Sequence, residues 1–383
     1  RALTAELRGD GWLNFFLENL PRVLEGPSLG ALQGTFQGVP AVICSAGPSL
    51  AKQLPLLKTI ADDVLILCVN TAIGALHKAG IEPNGVVAVE SADLSSMFEG
   101  IDTLNNINGL MEITGNPNQL AQPFRRLIPI CTENTTCSRF LYALDPRAQL
   151  SGGFCVANTA FAVAHKLGCG PIILIGQDLA YPNGRMSSEG TILEGLRTEV
   201  QGDKAVVFDD GSKQRILESS QDAIRGKPVG PAKAEREVAV GWAGVGEVES
   251  TADFLMFRDW FSRSAVRLRG LNIECVNCTE GGLTIPEWDE ISFQEAIERY
   301  VTPVGSKEPT IRQRFNDLAD QDGFKSGQLL EALRTEIADV ARIRAISAKA
   351  QVLVNFDPEG DLRAPEPVQL ELAAMQEELA EIL

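Results

Sequence analysis

Short runs of aliphatic and β-branched residues alternate with helical stretches from Val39 onward, and no other feature constrains the fold as strongly. Alternation of this kind is typical of βαβ units built around a parallel sheet. The predicted strands are residues 41–44, 64–69, 85–89, 127–131, 172–175 and 272–276. We therefore predict an α/β fold with a Rossmann-like, mostly parallel sheet.

Helical patterns fill the gaps between these strands and dominate the end of the chain. They cover residues 13–20, 50–60, 71–79, 154–167, 254–264, 293–300, 311–319, 329–354 and 368–383. These patterns predict an N-terminal flanking helical segment (1–37), a Rossmann-like domain (38–290) and a C-terminal α-helical domain (291–383). The chain begins with Arg1 rather than Met, which leaves open a missing leading domain.

The apolar periodicity breaks down between about residues 183 and 250, where Gly, Asp, Lys and Ser predominate. One hairpin-like piece, residues 205–208, precedes the turn Asp209-Asp210-Gly211. A stretch of this length without a clear element is either a functional lid or a disordered excursion. We predict a partly mobile lid inserted into the Rossmann-like domain.

The charge balance argues against a nucleic-acid partner. The chain has 51 acidic and 34 basic residues and a formal net charge of −17, so it repels a phosphate backbone unless it carries a strong local basic patch. No apolar run is long enough for a membrane helix, and the N-terminal residues lack the apolar core of a signal peptide. Eight cysteines in 383 residues are too few for a disulfide scaffold. These features predict a reducing, cytoplasmic location.

Small and polar residues follow the predicted strands at the edge where an open α/β sheet binds its ligands. After the first strand, Gly47, Pro48 and Ser49 form a tight turn into a helix, whose N-terminus offers N–H groups and a positive dipole to a phosphate. The same turn is also an ordinary helix start. Asn70, after the second strand, is suited either to bonding a base or ribose or to capping a helix.

Carboxylates follow other strands at the same predicted edge. Glu90 and Asp93 come after the third strand, where they are candidate acid–base or metal groups, although solvated turn carboxylates are about as common. Two further junctions carry small or polar groups, at Ser151-Gly152-Gly153 and at Gln177-Asp178. The convergence of these junctions at one edge predicts a ligand crevice.

Taken in order, these motifs resemble those of the motility-associated factor (Maf) glycosyltransferases, which share the domain named for an archaeal 6-hydroxymethylpterin diphosphokinase. The matching segments are Ser45-Ala-Gly-Pro-Ser-Leu50, Asn70, Gly152-Gly153, Leu174-Ile-Gly-Gln-Asp-Leu-Ala-Tyr181 and Asn277-Cys-Thr-Glu-Gly-Gly282. The resemblance covers roughly residues 38–290. It implies a fold similar to that of the bacterial sialyltransferases that use CMP-sialic acid.

The resemblance implies an enzyme that transfers a nonulosonic, sialic-acid-like sugar from a CMP-activated donor to Ser or Thr of flagellin. It names no certain cofactor besides the CMP-sugar, which is the donor substrate. The residues that it implies around the donor are Gly47, Pro48, Ser49, Asn70, Ser151, Gly152, Gly153, Gln177, Asp178 and Tyr181. Arg185 or Lys204 from the lid would then balance the phosphate charge.

The sequence differs from the similar sialyltransferases in its candidates for the general base. Those enzymes use a histidine in the lid region. The only histidines here, His77 and His165, both lie inside predicted helices. Base function would then fall to a carboxylate, for which the candidates are Asp178, Glu90 and Asp93.

Two other functions stay open. A 6-hydroxymethylpterin diphosphokinase would bind ATP and Mg²⁺ through these carboxylates, whereas a non-catalytic nucleotide-binding scaffold would keep the fold without the chemistry. No metal site is predicted, because Cys275 and Cys278 have no second cysteine pair or nearby histidine to complete four zinc ligands.

Overall fold

The computed structural model describes residues 2–132, 137–195, 197–201, 204–208, 234–301, 309–321 and 323–324, with eight single positions farther along the chain. The chain forms two compact units, 1–324 and 325–383. In the second unit all eight described positions are helical, and seven of them fall within the helix predicted for residues 329–354. The predicted domain boundaries near residues 37 and 290 stay predictions.

Nine parallel strands of the described residues form the central sheet of the first unit. They are β1 (Ala41–Cys44), β2 (Leu65–Val69), β3 (Gly85–Ala88), β4 (Asn108–Glu112), β5 (Leu127–Thr132), β6 (Gln149–Leu150), β7 (Ile172–Ile175), β12 (Cys275–Asn277) and β13 (Asp289–Glu290). Their order is β13-β12-β7-β1-β2-β3-β4-β5-β6, and every neighbouring pair is parallel. The predicted Rossmann-like α/β fold is confirmed.

Helices connect these strands. They are α1 (Ala2–Glu25), α2 (Leu50–Thr59), α3 (Ile73–Lys78), α4 (Pro117–Leu120), α5 (Ser138–Leu144), α6 (Val156–Lys166), α7 (Ala252–Arg269), α8 (Phe293–Tyr300) and α9 (Ile311–Ala319). The Ala-rich α6 buries Phe161, whose ring lies 5.6–5.9 Å from Trp260, Phe261 and Trp288. None of the described helices combines the length and the apolar character needed to span a membrane.

Strand β4 is absent from the sequence-based prediction because its ends are polar. Asn108 and Glu112 are nevertheless buried, since each finds hydrogen-bond partners inside the protein. The Asn108 amide donates to Asn84 O and to Asn316 Oδ1, and Glu112 Oε2 accepts from the Thr132 N–H at 3.0 Å. Polar residues can be buried where hydrogen-bond partners exist for them. A search for runs of apolar residues therefore misses a strand of this kind.

Four antiparallel strands form a second sheet within residues 183–251, where the sequence predicts no clear element beyond one hairpin-like piece. They are β8 (Arg197–Gln201), β9 (Lys204–Phe208), β10 (Ala234–Val240) and β11 (Glu247–Thr251), in the order β11-β10-β9-β8. The hairpin-like piece is part of β9, and the expectation of no further element is wrong because β8, β10 and β11 mix charged and apolar residues without a regular alternation. The predicted lid stays a prediction. The predicted turn at residues 209–211 lies outside the described residues.

The last two helices of the first unit pack onto the sheet domain. Phe293 in α8 and Phe315 in α9 are fully buried, and the Phe315 ring lies 5.8 Å from that of Phe36. Arg314 donates to Thr35 O at 2.8 Å and stacks over Phe36. The helices therefore share one hydrophobic core with the strands.

Candidate functional site

A cleft of about 390 Å³ opens at the carboxyl edge of the parallel sheet. The chain runs from β1 outward through β6 on one side and then returns to place β7 on the other side of β1. Ligands of open α/β sheets bind at such a reversal point. The ends of β1, β2, β3 and β7 all contribute lining residues, so the structure brings the predicted strand ends together.

The turn after β1 is tied to the end of β7 through Asp178. Asp178 Oδ2 accepts from the Ser49 N–H at 3.1 Å and from the Ser49 hydroxyl at 2.7 Å. The Gly47 N–H donates to Gly176 O, and the Leu50 N–H donates back to Gly47 O. These backbone donors are therefore already used, and the Ser49 hydroxyl faces Asp178. The predicted contact of this turn with a phosphate stays a prediction.

Gly47 and Pro48 both line the cleft. A Cβ atom at Gly47 would overlap Asp178 Oδ2 and would lie 2.5 Å from Gly176 O. Glycine is therefore required by the close packing of two strand ends, which is a structural reason separate from ligand approach.

Asp178 is almost completely enclosed. Its other oxygen, Oδ1, has no hydrogen-bond partner among the described residues, and the backbone of Gly282 packs directly against the Asp178 backbone. Burial raises the pKa of this carboxyl from 3.8 to about 6, and the hydrogen bonds from Ser49 limit the rise. Asp178 thus holds the turn in place and is enclosed by its neighbours.

Asn70 and Gln177 supply amide groups to the cleft. The Asn70 side chain is buried, and its Nδ2 has no hydrogen-bond partner within the described part of the chain. The Gln177 Oε1 accepts from the Ser45 hydroxyl, and its backbone N–H donates to Thr279 Oγ1 at 3.2 Å. A buried donor without a partner costs free energy, so Asn70 Nδ2 is a group for a ligand to satisfy.

Glu90 and Asp93 are separated by the structure. Glu90 lines the cleft and is half-buried. Asp93 is exposed and caps the turn that follows, because Oδ1 accepts from the Ser95 N–H and hydroxyl while Oδ2 accepts from Asn118. Burial acts to raise the pKa of Asp93, but the bonds from Ser95 and Asn118 outweigh it and lower that pKa. The cleft lining does not include Asp93.

The segment before α6, Ser151-Gly152-Gly153, was predicted to line the donor, but it lies outside the lining of the cleft. Ser151 lines another cavity, described below, and a Cβ atom at Gly152 or Gly153 would clash with Thr132 or Asn158. None of these three residues lines the cleft, where the contribution of this segment begins at Cys155. The glycines instead allow the chain to pass close to its neighbours.

Tyr181 lies behind the cleft rather than in its lining. Its ring packs against Phe254 at 5.2 Å between centroids, and its N–H donates to Glu249 O in β11. Ser250 in the same strand donates to Leu179 O at 2.8 Å. Strand β11 is therefore fastened to the loop that follows β7.

Large apolar side chains also line the cleft and were not predicted from the sequence. They are called the apolar wall here and are Leu94, Met97, Val156, Met186, Leu193, Phe254 and Phe257. Phe254 and Phe257 belong to the first turns of α7, more than 70 residues beyond β7 in sequence. Their helical spacing was visible, but it indicates a buried face without saying which element covers it.

The charged groups in the described lining are Glu90 and Asp178, and no Lys, Arg or His accompanies them there. Arg185, predicted to balance a phosphate, precedes the lining residue Met186 but does not itself line the cleft. Within the described residues no three His, Cys, Asp or Glu side chains are grouped as they would be around a metal. Cys275 and Cys278 are buried free thiols.

The enclosed carboxyl predicts a specific pH dependence of stability. Because the folded pKa of Asp178 is raised, its protonated form is favoured in the folded state, and the carboxyl destabilises the fold as pH rises from about 4 to 6. The change corresponds to roughly 3 kcal/mol. We expect Asp178→Asn to gain stability over the unaltered protein across this range, as measured by urea denaturation from pH 4 to pH 8.

Asp93→Asn is the matched control, because the pKa of Asp93 is lowered and its effect has the opposite sign. Burial raises the pKa of Glu112 to about 7, but Glu112 is common to all three proteins and cancels in the comparison. A stability difference between Asp178→Asn and the unaltered protein that stays constant with pH would contradict the assignment.

Part of this chain is similar to a known protein family. Residues 14–184 match the family described as 6-hydroxymethylpterin diphosphokinase MptE-like. This segment, called the MptE-like segment here, is similar to that family. The resemblance indicated by the motifs is therefore confirmed, and the MptE-like segment contains the Gly47 turn, Asn70, Glu90 and Asp178.

A solved structure shares the fold beyond the MptE-like segment. The chain is similar to a Maf glycosyltransferase from Magnetospirillum magneticum AMB-1, with a TM-score of 0.62 and 19% sequence identity. The match covers 98% of this chain and 50% of that one, so this chain spans about half the length of its structural relative. Comparison with curated proteins gives no match.

Proposed function

We propose that this chain acts as a glycosyltransferase that uses a nucleotide-activated sugar. The observation that carries the proposal is the cleft at the reversal point of the sheet, where the buried Nδ2 of Asn70 has no partner among the described residues. The fold likeness to a Maf glycosyltransferase supports the same assignment. On this proposal the donor binds at the carboxyl ends of β1, β2, β3 and β7.

The nucleoside end of the donor fits this cleft better than its phosphate does. The described lining is largely apolar, has two carboxylates and lacks a cation, so it disfavours an anion. Phe254 and Phe257 offer ring faces to a base, and Asn70 offers an amide donor to its polar edge or to the ribose. The phosphate then points towards the opening of the cleft, where the sugar meets its acceptor.

Glu90 is proposed as the general base for the acceptor hydroxyl. Of the two carboxylates in the described lining, it is the more exposed, whereas Asp178 is closed off by Ser49 and Gly282. Transfer through an oxocarbenium-like state requires removal of the acceptor proton as the new bond forms. Asp178 acts as a positioning residue for the turn.

The finer identity of the reaction rests on the motif resemblance. It favours a CMP-activated nonulosonic acid as donor, Ser or Thr of flagellin as acceptor, and the bacterial cytoplasm as the location. The second candidate is an ATP-dependent pterin diphosphokinase, which is favoured by the description of the family that residues 14–184 match. The two candidates differ in the nucleotide that the cleft selects.

Calorimetric titration with CMP, cytidine and ATP with Mg²⁺ tests the proposal. We expect CMP to bind and cytidine to retain most of the affinity, because the nucleoside makes the contacts inside the cleft. At 100 times its dissociation constant, CMP would raise the unfolding free energy by about 2.7 kcal/mol. Binding of ATP with Mg²⁺ in the absence of any CMP heat would establish the diphosphokinase alternative instead.

Asn70→Ala should weaken CMP binding by about tenfold, the effect of losing one good hydrogen bond. Asn105→Ala is the matched control, since Asn105 is exposed and does not line the cleft. Equal CMP affinity in both variants would remove Asn70 from the site.

A further inference from the structure

A second cavity, of about 490 Å³, lies between α6 and α7. It is lined in part by Phe161, His165 and Lys166 from α6 and by Trp260, Ser264 and Arg267 from α7. The cleft at the sheet edge is lined by the opposite ends of the same helices, at Val156 and Ala157 in α6 and at Phe254 and Phe257 in α7. The cavity is therefore separate from the proposed nucleotide site.

The charge of this cavity is opposite to that of the protein as a whole. Three basic side chains, His165, Lys166 and Arg267, line it, and the described lining includes no carboxylate. The chain as a whole carries a formal charge of −17. A concave basic surface on an acidic protein attracts anions locally, whereas the remaining surface repels them.

The last turn of a helix often carries basic residues, because they interact favourably with its dipole, and this explains His165 and Lys166 in part. Lys166 donates to Gln149 O, a carbonyl of β6 rather than of α6, at 2.6 Å. Arg267 likewise lies in the last turn of α7, and what the dipole does not explain is that the two helix ends bring their basic residues to one cavity. The Arg267 guanidinium donates to Ser264 Oγ at 3.1 Å, which directs both polar groups to this wall.

The environment of His165 shows that the basic side chains of this cavity repel one another electrostatically. Its Nδ1 is buried and has no hydrogen-bond partner among the described residues. Burial lowers the pKa of His165, and the charges of Arg267 and Lys166 lower it further. The other polar lining residues, Gln33, Gln149, Ser151 and Ser264, are uncharged and do not relieve this repulsion. An anion in the cavity would relieve it.

We propose that this cavity binds a small organic anion that carries a phosphate or carboxylate group together with a flat apolar part. The anionic group lies among Arg267, Lys166 and His165, and the flat part packs against Trp260 and the Phe161 wall. Arginine and lysine form strong charge-assisted bonds to such groups, and an indole face accepts a flat ring. This site is independent of the proposed transferase activity, since the two cavities share no lining residue.

Histidine NMR on the full chain tests the proposal, because the chain has two histidines and one of them is an internal control. His165 lines the cavity, whereas His77 lies elsewhere, 3.5 Å from Asp102. The probe is phenyl phosphate, compared with phenol and with inorganic phosphate. His165→Gln assigns the two sets of signals.

We expect phenyl phosphate to shift the His165 signals and raise its pKa while leaving those of His77 in place. Phenol and inorganic phosphate, each lacking one half of the recognised group, should bind more weakly. Arg267→Gln should weaken phenyl phosphate binding by about tenfold or more, as expected when a charge-assisted bond is lost. Arg263→Gln, in an exposed position on the same helix outside the cavity lining, should leave it unchanged.

Three results would overturn the proposal. The first is the absence of a His165 shift at millimolar phenyl phosphate. The second is an equal shift of His77, which would indicate general screening. The third is an equal loss of affinity in Arg267→Gln and Arg263→Gln, which would indicate a diffuse charge effect rather than a site. Because none of these readouts depends on sugar transfer, failure here leaves the proposed function untouched.

Discussion

Replacing Gly47 by Val is expected to abolish CMP binding and to lower the unfolding free energy by about 1–3 kcal/mol, the usual cost of forcing extra atoms into a packed region. The new Cβ would overlap Asp178 Oδ2 and would lie 2.5 Å from Gly176 O and 2.9 Å from Asp178 Cγ. The turn must therefore move away from the end of β7, and the cleft between them loses its shape. The substitution is therefore expected to cost stability as well as CMP binding.

Gly11→Val is the matched control for this substitution. Gly11 lies in α1, and no described atom would be within 4 Å of its added Cβ. Urea denaturation and CMP calorimetry on both variants make the comparison. If Gly47→Val bound CMP as tightly as the unaltered protein does, the Gly47 turn would have no part in the site.

Replacing Glu90 by Gln is expected to lower the rate of sugar transfer by about 10²–10⁴-fold, which is the range for losing a general base. The change keeps the size of the side chain and removes only its ability to take a proton. Since Asn70 and the apolar wall are unaltered, CMP affinity should change little. The measurement is the transfer rate from a CMP-sugar under saturating donor, paired with CMP calorimetry.

Two further variants define what this result means. Glu99→Gln removes an exposed carboxylate from the same connection and should not change the rate. Asp93→Asn should have a much smaller effect than Glu90→Gln, because the Asp93 carboxylate is held by Ser95 and Asn118 outside the cleft lining. Full activity of Glu90→Gln together with an inactive Asp178→Asn would transfer the role of base to Asp178.

The sequence by itself was enough to locate those strands of the sheet whose side chains are all apolar. Strands β1, β2 and β7 were predicted to within one residue, because every residue in them is buried and a fully buried parallel strand reads as an unbroken aliphatic run. The edge at which ligands bind followed from the same strands, since their carboxyl ends lie together in any parallel sheet. The positions of Gly47, Asn70, Glu90 and Asp178 near one cleft were therefore predictable.

Only the tertiary structure decided which way these side chains face and what they contact. The Ser49 hydroxyl bonds Asp178, which is 129 residues away, and the apolar wall of the cleft comes from Phe254 and Phe257. Contacts at such separations depend on how the elements pack, and local periodicity carries no record of them. For the same reason the basic cavity between α6 and α7 was invisible in the sequence, where His165 and Arg267 are ordinary residues of two separate helices.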